Sequence, residues 1–147
     1  SKAGKTLSAA ESCTGGTISA LLTSVPGSSA YYLGSVTSYA NEIKMNVLGV
    51  PEEIIMMHGA VSSECVAAMA EGVRRLTGSD YSVATSGIAG PGGGSEEKPV
   101  GLVWIGVSSE KGTETFRMVF RNDRKRNIER FASSALNKLR EKLVNEL

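Results

Sequence analysis

Short β-rich runs alternate along this chain with stretches whose apolar residues recur at helical spacing, and that alternation restricts the fold more than any other feature. Residues 5–11 read as a strand that enters a turn at 12–16, after which Ile18, Leu21, Leu22 and Val25 follow a helical period until Pro26 and Gly27 stop it. A second strand is expected over 34–39. Asn41 is then a suitable N-cap for a short helix carrying Ile43, Val47 and Leu48 up to Gly49, and Pro51 opens another. Ser62 and Ser63 can cap a longer helix with Val66, Met69, Ala70, Val73 and Leu76 on one face, closed by Gly78. Residues 81–85 are β-rich, and 100–108 and 115–120 read as a hairpin joined through Lys111 and Gly112. From Lys125 onward Ile128, Phe131, Ala132, Ala135, Leu136, Leu139 and Leu143 mark a long amphipathic helix.

Helices between strands require crossovers and hence parallel pairs, while the late hairpin adds an antiparallel pair. A layered α/β domain with a mixed sheet is therefore expected, and 147 residues suit one domain over 1–147. The chain starts abruptly at its first strand, so it reads as a fragment lacking an N-terminal helix or a further N-terminal domain. Apolar stretches break well before the roughly 18 residues of a membrane span, and no leader is evident, which gives a cytoplasmic reading. Cys13 and Cys65 have neither metal-ligand nor redox-motif spacing, so they read as free thiols. With 16 basic against 15 acidic residues, nothing draws the chain to nucleic acid or to a membrane. A small-molecule partner is expected, with Met56, Met57 and the last helix offering a surface for a homo-oligomer, a dimer by preference.

Chemistry points first to the turn after the first strand, where Glu11, Ser12, Cys13, Thr14, Gly15 and Gly16 lead into a helix N-terminus. Free N–H groups and the positive end of the helix dipole suit an anion there, and the two glycines allow close approach. Ser12 is either a nucleophile or, like Thr14, a helix cap; the local pattern leaves both open. Its usual base is histidine, yet the single His58 sits in a helix-ending segment and reads better as a partner of the last carbonyls. Lys44 is the alternative base. If Asn41 caps its helix, Lys44 falls in the first turn, where the dipole favours the neutral amine. Tyr39, about 140° away on a continuous helix, can converge with it only across a turn, and could then relay a proton. An exposed lysine and a core tyrosine are the structural alternatives.

Two further segments carry candidate ligand contacts. Ser86 and Gly87 begin a glycine-rich stretch through Gly90, Pro91 and Gly94 that leaves a strand end, the common ligand position in open α/β sheets. Arg121, Arg124, Lys125, Arg126 and Arg130 cluster at the start of the last helix, where cations oppose the dipole unless an anion relieves them. Ion pairing with Asp123 and Glu129 is the plainer explanation of that cluster.

The order of residues 10–16, Gly27-Ser28-Ser29, residues 39–44, residues 58–62, residues 86–91 and residues 98–101 resembles the CinA C-terminal domain family, the nicotinamide-nucleotide amidases. The resemblance implies a three-layer α/β/α sandwich with a mixed, mostly parallel sheet. It also implies conversion of nicotinamide mononucleotide to nicotinate mononucleotide and ammonia, without metal or organic cofactor. Matched by position, Ser12 is the nucleophile and Tyr39 and Lys44 activate it. Ser29, Ser86, Gly87 and Arg124 match substrate-holding positions, and Thr14, Gly15 and Gly16 would supply N–H groups to the oxyanion. Asn122 stands where many members have glycine. The competing expectation is a non-catalytic nucleotide-binding or interaction module.

Overall fold

The computed structural model describes residues Ser1–Leu147. Strand β1 (Leu7–Glu11) leads through α1 (Thr17–Thr23) and a 3-10 turn at Ser28–Ala30 to β2 (Tyr32–Thr37). Three helices follow, α2 (Asn41–Asn46), α3 (Glu52–His58) and α4 (Ser63–Thr77), before β3 (Tyr81–Gly87). The chain closes with β4 (Leu102–Ser109), β5 (Gly112–Val119) and α5 (Arg124–Glu146). The sheet order is β2-β1-β3-β4-β5. No helix is long and apolar enough to cross a membrane.

The expected three layers and mixed sheet are present, with the pairings evenly divided rather than mostly parallel. β1 runs parallel to β2 and β3, whereas β3–β4 and β4–β5 are antiparallel. The reason lies in residues 88–101, which return the chain from β3 without a crossover helix, so β4 must come back antiparallel. β2 starts and ends two residues earlier than the sequence pattern predicts. Its register with β1 stops at the pair Glu11 and Thr37, which places Tyr39 beyond the strand.

Side chains alternate across the sheet and fill two cores. Leu7, Ala9, Tyr81, Val83, Val103, Ile105 and Val107 meet Ile18 of α1 and Phe131, Ala132, Ala135 and Leu139 of α5. On the other face Ala10 and Ala84 meet Val66, Met69, Ala70 and Val73 of α4, together with Leu48 and Val50. Each fully buried large side chain among these contributes about 1.5–3 kcal/mol. α4 is closed as expected, by the Ser62 hydroxyl accepting from the Cys65 N–H and by Gly78 in the left-handed conformation; Leu76 is exposed. Gly72 permits the approach of α4 to the end of α2, since a Cβ there would overlap the Leu48 carbonyl. Met56 and Met57 are exposed on α3.

The crossovers from β1 and from β2 lie on opposite faces, α1 beside α5 and α4 on the far side. The carboxyl ends of β1, β2 and β3 therefore flank a topological switch point, where open α/β sheets hold their ligands. In-register pairing of Glu11 with Thr85 brings Ser12 and Ser86 to that end together.

Candidate active site

Neither Ser12 nor Thr14 caps α1. The fully buried Glu11 carboxylate does so, accepting from the Ile18 and Ser19 N–H groups at 2.8 and 3.0 Å, and from the Thr14 hydroxyl at 2.6 Å. A negative charge at the positive end of a helix is favourable, and it occupies the donors the first turn would otherwise leave open. Thr14 is also bonded to the Thr85 hydroxyl at 2.9 Å, so its side chain is committed to the scaffold. Within the turn, the Gly15 and Thr17 N–H groups go to the Ser12 and Thr14 carbonyls. The N–H groups of Cys13, Thr14 and Gly16 have no main-chain acceptor. Gly15 and Gly16 adopt positive φ, 56° and 108°, which is what the turn requires of them. Sequence reasoning missed Glu11, because a carboxylate closing a strand reads as an exposed end.

Lys44 reaches this turn from α2. Its side chain is 1% exposed, and its Nζ lies 3.0 Å from Ser12 Oγ, 2.7 Å from the Ser38 carbonyl and 3.1 Å from the Tyr39 carbonyl. Burial pushes the ammonium down from the usual lysine value of 10.5, with the Cys65 and Cys13 sites opposing that change. The expected dipole argument does not supply this effect. Ala40 occupies the N-cap position, Asn41 is the first helical residue, and Lys44 lies fourth in a six-residue helix. Desolvation disfavours the charged form instead.

Tyr39 meets Lys44 through its main-chain carbonyl, not through its hydroxyl. The phenol is on an exposed side chain and accepts from Arg124 Nη2 at 3.3 Å, so it does not stand between Ser12 and Lys44. Arg124 Nη1 donates to the Gly90 carbonyl at 2.7 Å. Ser12, Cys13, Tyr39, Asn41, Lys44, Ser86, Gly87, residues 88–93 in part, and Arg124 line one open cavity of about 310 Å³. That is at the lower end of the roughly 300–1,000 Å³ typical of small-molecule sites. A more apolar cavity of about 380 Å³ lies at the opposite end of the sheet, beside Leu7, Tyr81 and Leu143.

Of the residues singled out from sequence, Ser12, Tyr39, Lys44, Ser86, Gly87 and Arg124 converge on the cavity. Thr14, Gly15, Gly16 and Ser29 do not line it; Ser29 is exposed in the turn after α1. Ser86 donates to the Ala60 carbonyl at 2.7 Å, leaving its oxygen free to accept. Gly87 is obligatory, because a Cβ there would overlap the Leu102 carbonyl. Asn122 has no positive φ, so its backbone does not demand glycine. His58 closes α3 outside the cavity, 3.8 Å from Glu64. The Cys13 thiol is pushed up to about 12, chiefly by burial, which removes it as a competing nucleophile. No three His, Cys, Asp or Glu side chains converge as metal ligands. Arg121, Arg124, Lys125, Arg126 and Arg130 make no ion pair, and Asp123 instead caps α5 by accepting from the Arg126 N–H at 2.9 Å.

A family model described as the CinA C-terminal domain matches residues 1–143. A CinA-like protein from Endomicrobium trichonymphae is 53% identical over 140 residues, 95% of this chain and 33% of that protein. A putative competence-damage inducible protein from Desulforudis audaxviator is 52% identical over 83% of this chain and 30% of its own length. The chain thus spans about a third of the curated relatives it matches. Among solved structures, the competence damage-inducible protein A from Klebsiella pneumoniae is 40% identical with a TM-score of 0.93, over 97% of this chain and 89% of that one. The competence/damage inducible protein from Agrobacterium tumefaciens is 38% identical with a TM-score of 0.91, over 94% and 85%.

Proposed function

Because the chain belongs to the CinA C-terminal domain family, we propose that its site is an amidase hydrolysing the carboxamide of nicotinamide mononucleotide to nicotinate mononucleotide and ammonia. The observation that carries this reading is the environment of Lys44. A neutral amine has two N–H bonds and one lone pair. The Ser38 and Tyr39 carbonyls take the two N–H bonds, which leaves the lone pair facing Ser12 Oγ at 3.0 Å. Burial favours that neutral form, and the ammonium made by proton transfer finds all three of its donors already placed.

The reaction then runs in two halves. Ser12 Oγ loses its proton to Lys44 and attacks the amide carbon, while the unclaimed N–H group of Cys13, which lines the cavity, receives the tetrahedral oxyanion. Lys44 returns the proton to the departing nitrogen, and ammonia leaves an ester on Ser12. Water, deprotonated by Lys44, attacks that ester; the nicotinate carboxylate departs and Ser12 regains its proton. Arg124 at the far rim pairs with the phosphate, and the Tyr39 hydroxyl bonded to it acts at that end of the substrate. Tyr39 serves Lys44 through its carbonyl alone.

An ammonia-release assay with nicotinamide mononucleotide tests the reading. Wild type is expected to turn over, and Ser12→Ala and Lys44→Ala to lose at least about three orders of magnitude in kcat. Turnover by Ser12→Ala at the wild-type rate overturns the assignment. Binding of the mononucleotide by wild type without ammonia release would favour a nucleotide-binding module.

A further inference from the structure

We infer that Asn127 is a positioning residue that sets the phosphate-binding end of the cavity; this rests on the amidase reading and its role for Arg124. Asn127 is the fourth residue of α5, is fully buried, and spends all its hydrogen bonds on the main chain of two loops. Its Nδ2 donates to the Ala89 carbonyl at 3.0 Å and to the Asn122 carbonyl at 3.0 Å, and its Oδ1 accepts from the Asn122 N–H at 3.2 Å.

The first of those loops walls the cavity, and the second leads into Arg124 at its rim. The glycine-rich segment is tied to the sheet at its base, where the Ile88 N–H meets the Leu102 carbonyl and the Gly101 N–H meets the Ile88 carbonyl. From Ala89 to Gly94 no backbone–backbone bond holds it. Asn127 and Arg124, three apart and so on one face of α5, instead grip the consecutive carbonyls of Ala89 and Gly90. Asn127 also fixes the approach to α5 at Asn122, two residues before Arg124. One buried amide therefore holds the loop that walls the cavity in register with the guanidinium at its rim. Ser12 and Lys44, carried by β1 and α2, are anchored independently of it.

This separation dictates the phenotype. Asn127→Leu fills much the same space and removes three hydrogen bonds, so Ala89 and Gly90 move relative to Arg124 while the Ser12–Lys44 pair stays in place. With nicotinamide mononucleotide, KM is expected to rise about tenfold or more while kcat changes by less than about threefold. With nicotinamide riboside, which lacks the phosphate, KM should match wild type. In an Arg124→Ala background, Asn127→Leu should add no further rise. An equal loss of kcat with both substrates, or an unchanged KM for the mononucleotide, overturns the proposal. If Asn127→Leu does not fold, Asn127→Asp carries the same comparison, since it keeps an acceptor for the Asn122 N–H and loses the donation to Ala89. Calorimetric binding of the mononucleotide to Ser12→Ala with and without Asn127→Leu gives a readout independent of turnover. Weaker binding in the double variant supports the clamp, and equal binding refutes it. Absence of ammonia release by wild type would refute only the amidase reading.

Discussion

The Glu11 carboxylate and its neighbour Ser12 divide the work of one turn: Glu11 takes the Ile18 and Ser19 N–H groups of α1, and Ser12 Oγ is left to Lys44 at 3.0 Å. The N-cap position is Gly16, which has no side chain to accept from those donors, so the Glu11 carboxylate supplies what the cap lacks.

Glu11→Ala should therefore lower stability by about 2–3 kcal/mol, since it strands two helix N–H groups, that of Ile18 in a buried place. Urea denaturation measures the loss. A change below about 0.5 kcal/mol would mean the turn repairs itself, with Ser12 or Thr14 as the cap.

The lowered Lys44 ammonium has two consequences for pH. In the proposed mechanism the neutral amine is the base, so kcat/KM should rise with pH along a limb lying below the ordinary lysine value of 10.5. Stability follows the same sign. Between the folded and unfolded values the unfolded chain binds the extra proton, so this contribution is complete above 10.5 and is lost as pH falls through the folded value. Comparison with Lys44→Met isolates it: the stability of wild type relative to that variant should grow as pH rises through this window. A pH-independent difference would show that Lys44 titrates alike in both states.

Much of this arrangement was legible in the sequence, and the parts that were not have physical reasons. The helix α4 announces itself through Ser62, Gly78 and a stripe that is buried from Val66 to Val73. The edge strand β2 does not, because its inward positions Tyr32, Gly34 and Val36 are only half-buried and their pattern is correspondingly weak. That shift carried Tyr39 from a strand end into a loop, and with it the role of its hydroxyl. For Lys44 the direction of the shift was legible but its cause was not: a lysine in a short helix reads as exposed, and only tertiary packing reveals its burial. Ser29 and the glycines of the turn were assigned by resemblance, and their distance from the cavity follows from three-dimensional placement that motif order does not encode.

Buried thiols should be chemically silent. Burial raises both Cys13, to about 12, and Cys65 above the usual thiol range. At pH 8 iodoacetamide should modify neither in the native protein, as read by intact mass, and ammonia release should survive the treatment. Cys13→Ala should keep kcat within about threefold. Rapid alkylation of Cys13 with loss of turnover would instead make it a contender for the nucleophile.

The position of Lys44 depends on a contact several residues away. Leu48, one turn beyond it and almost fully buried, presents its carbonyl to Gly72 of α4 so closely that any Cβ would overlap it. Gly72→Ala must therefore push α2 and α4 apart, and overpacking of this kind costs about 1–3 kcal/mol. The displacement also moves Lys44 relative to the turn that holds Ser12, because the lysine is held at its tip by Ser38 and Tyr39 and at its base by the helix. Loss of kcat should accompany the loss of stability, with KM for nicotinamide mononucleotide nearly unchanged since Arg124 and the glycine-rich loop lie on other elements. Alanine at Gly106, which would overlap the Val66 carbonyl nearer the start of α4, provides the control. It should destabilise by a similar amount while leaving kcat closer to wild type. Equal loss of kcat in the two variants would show that the catalytic pair responds to any loosening of α4 and not to the seat of α2 in particular.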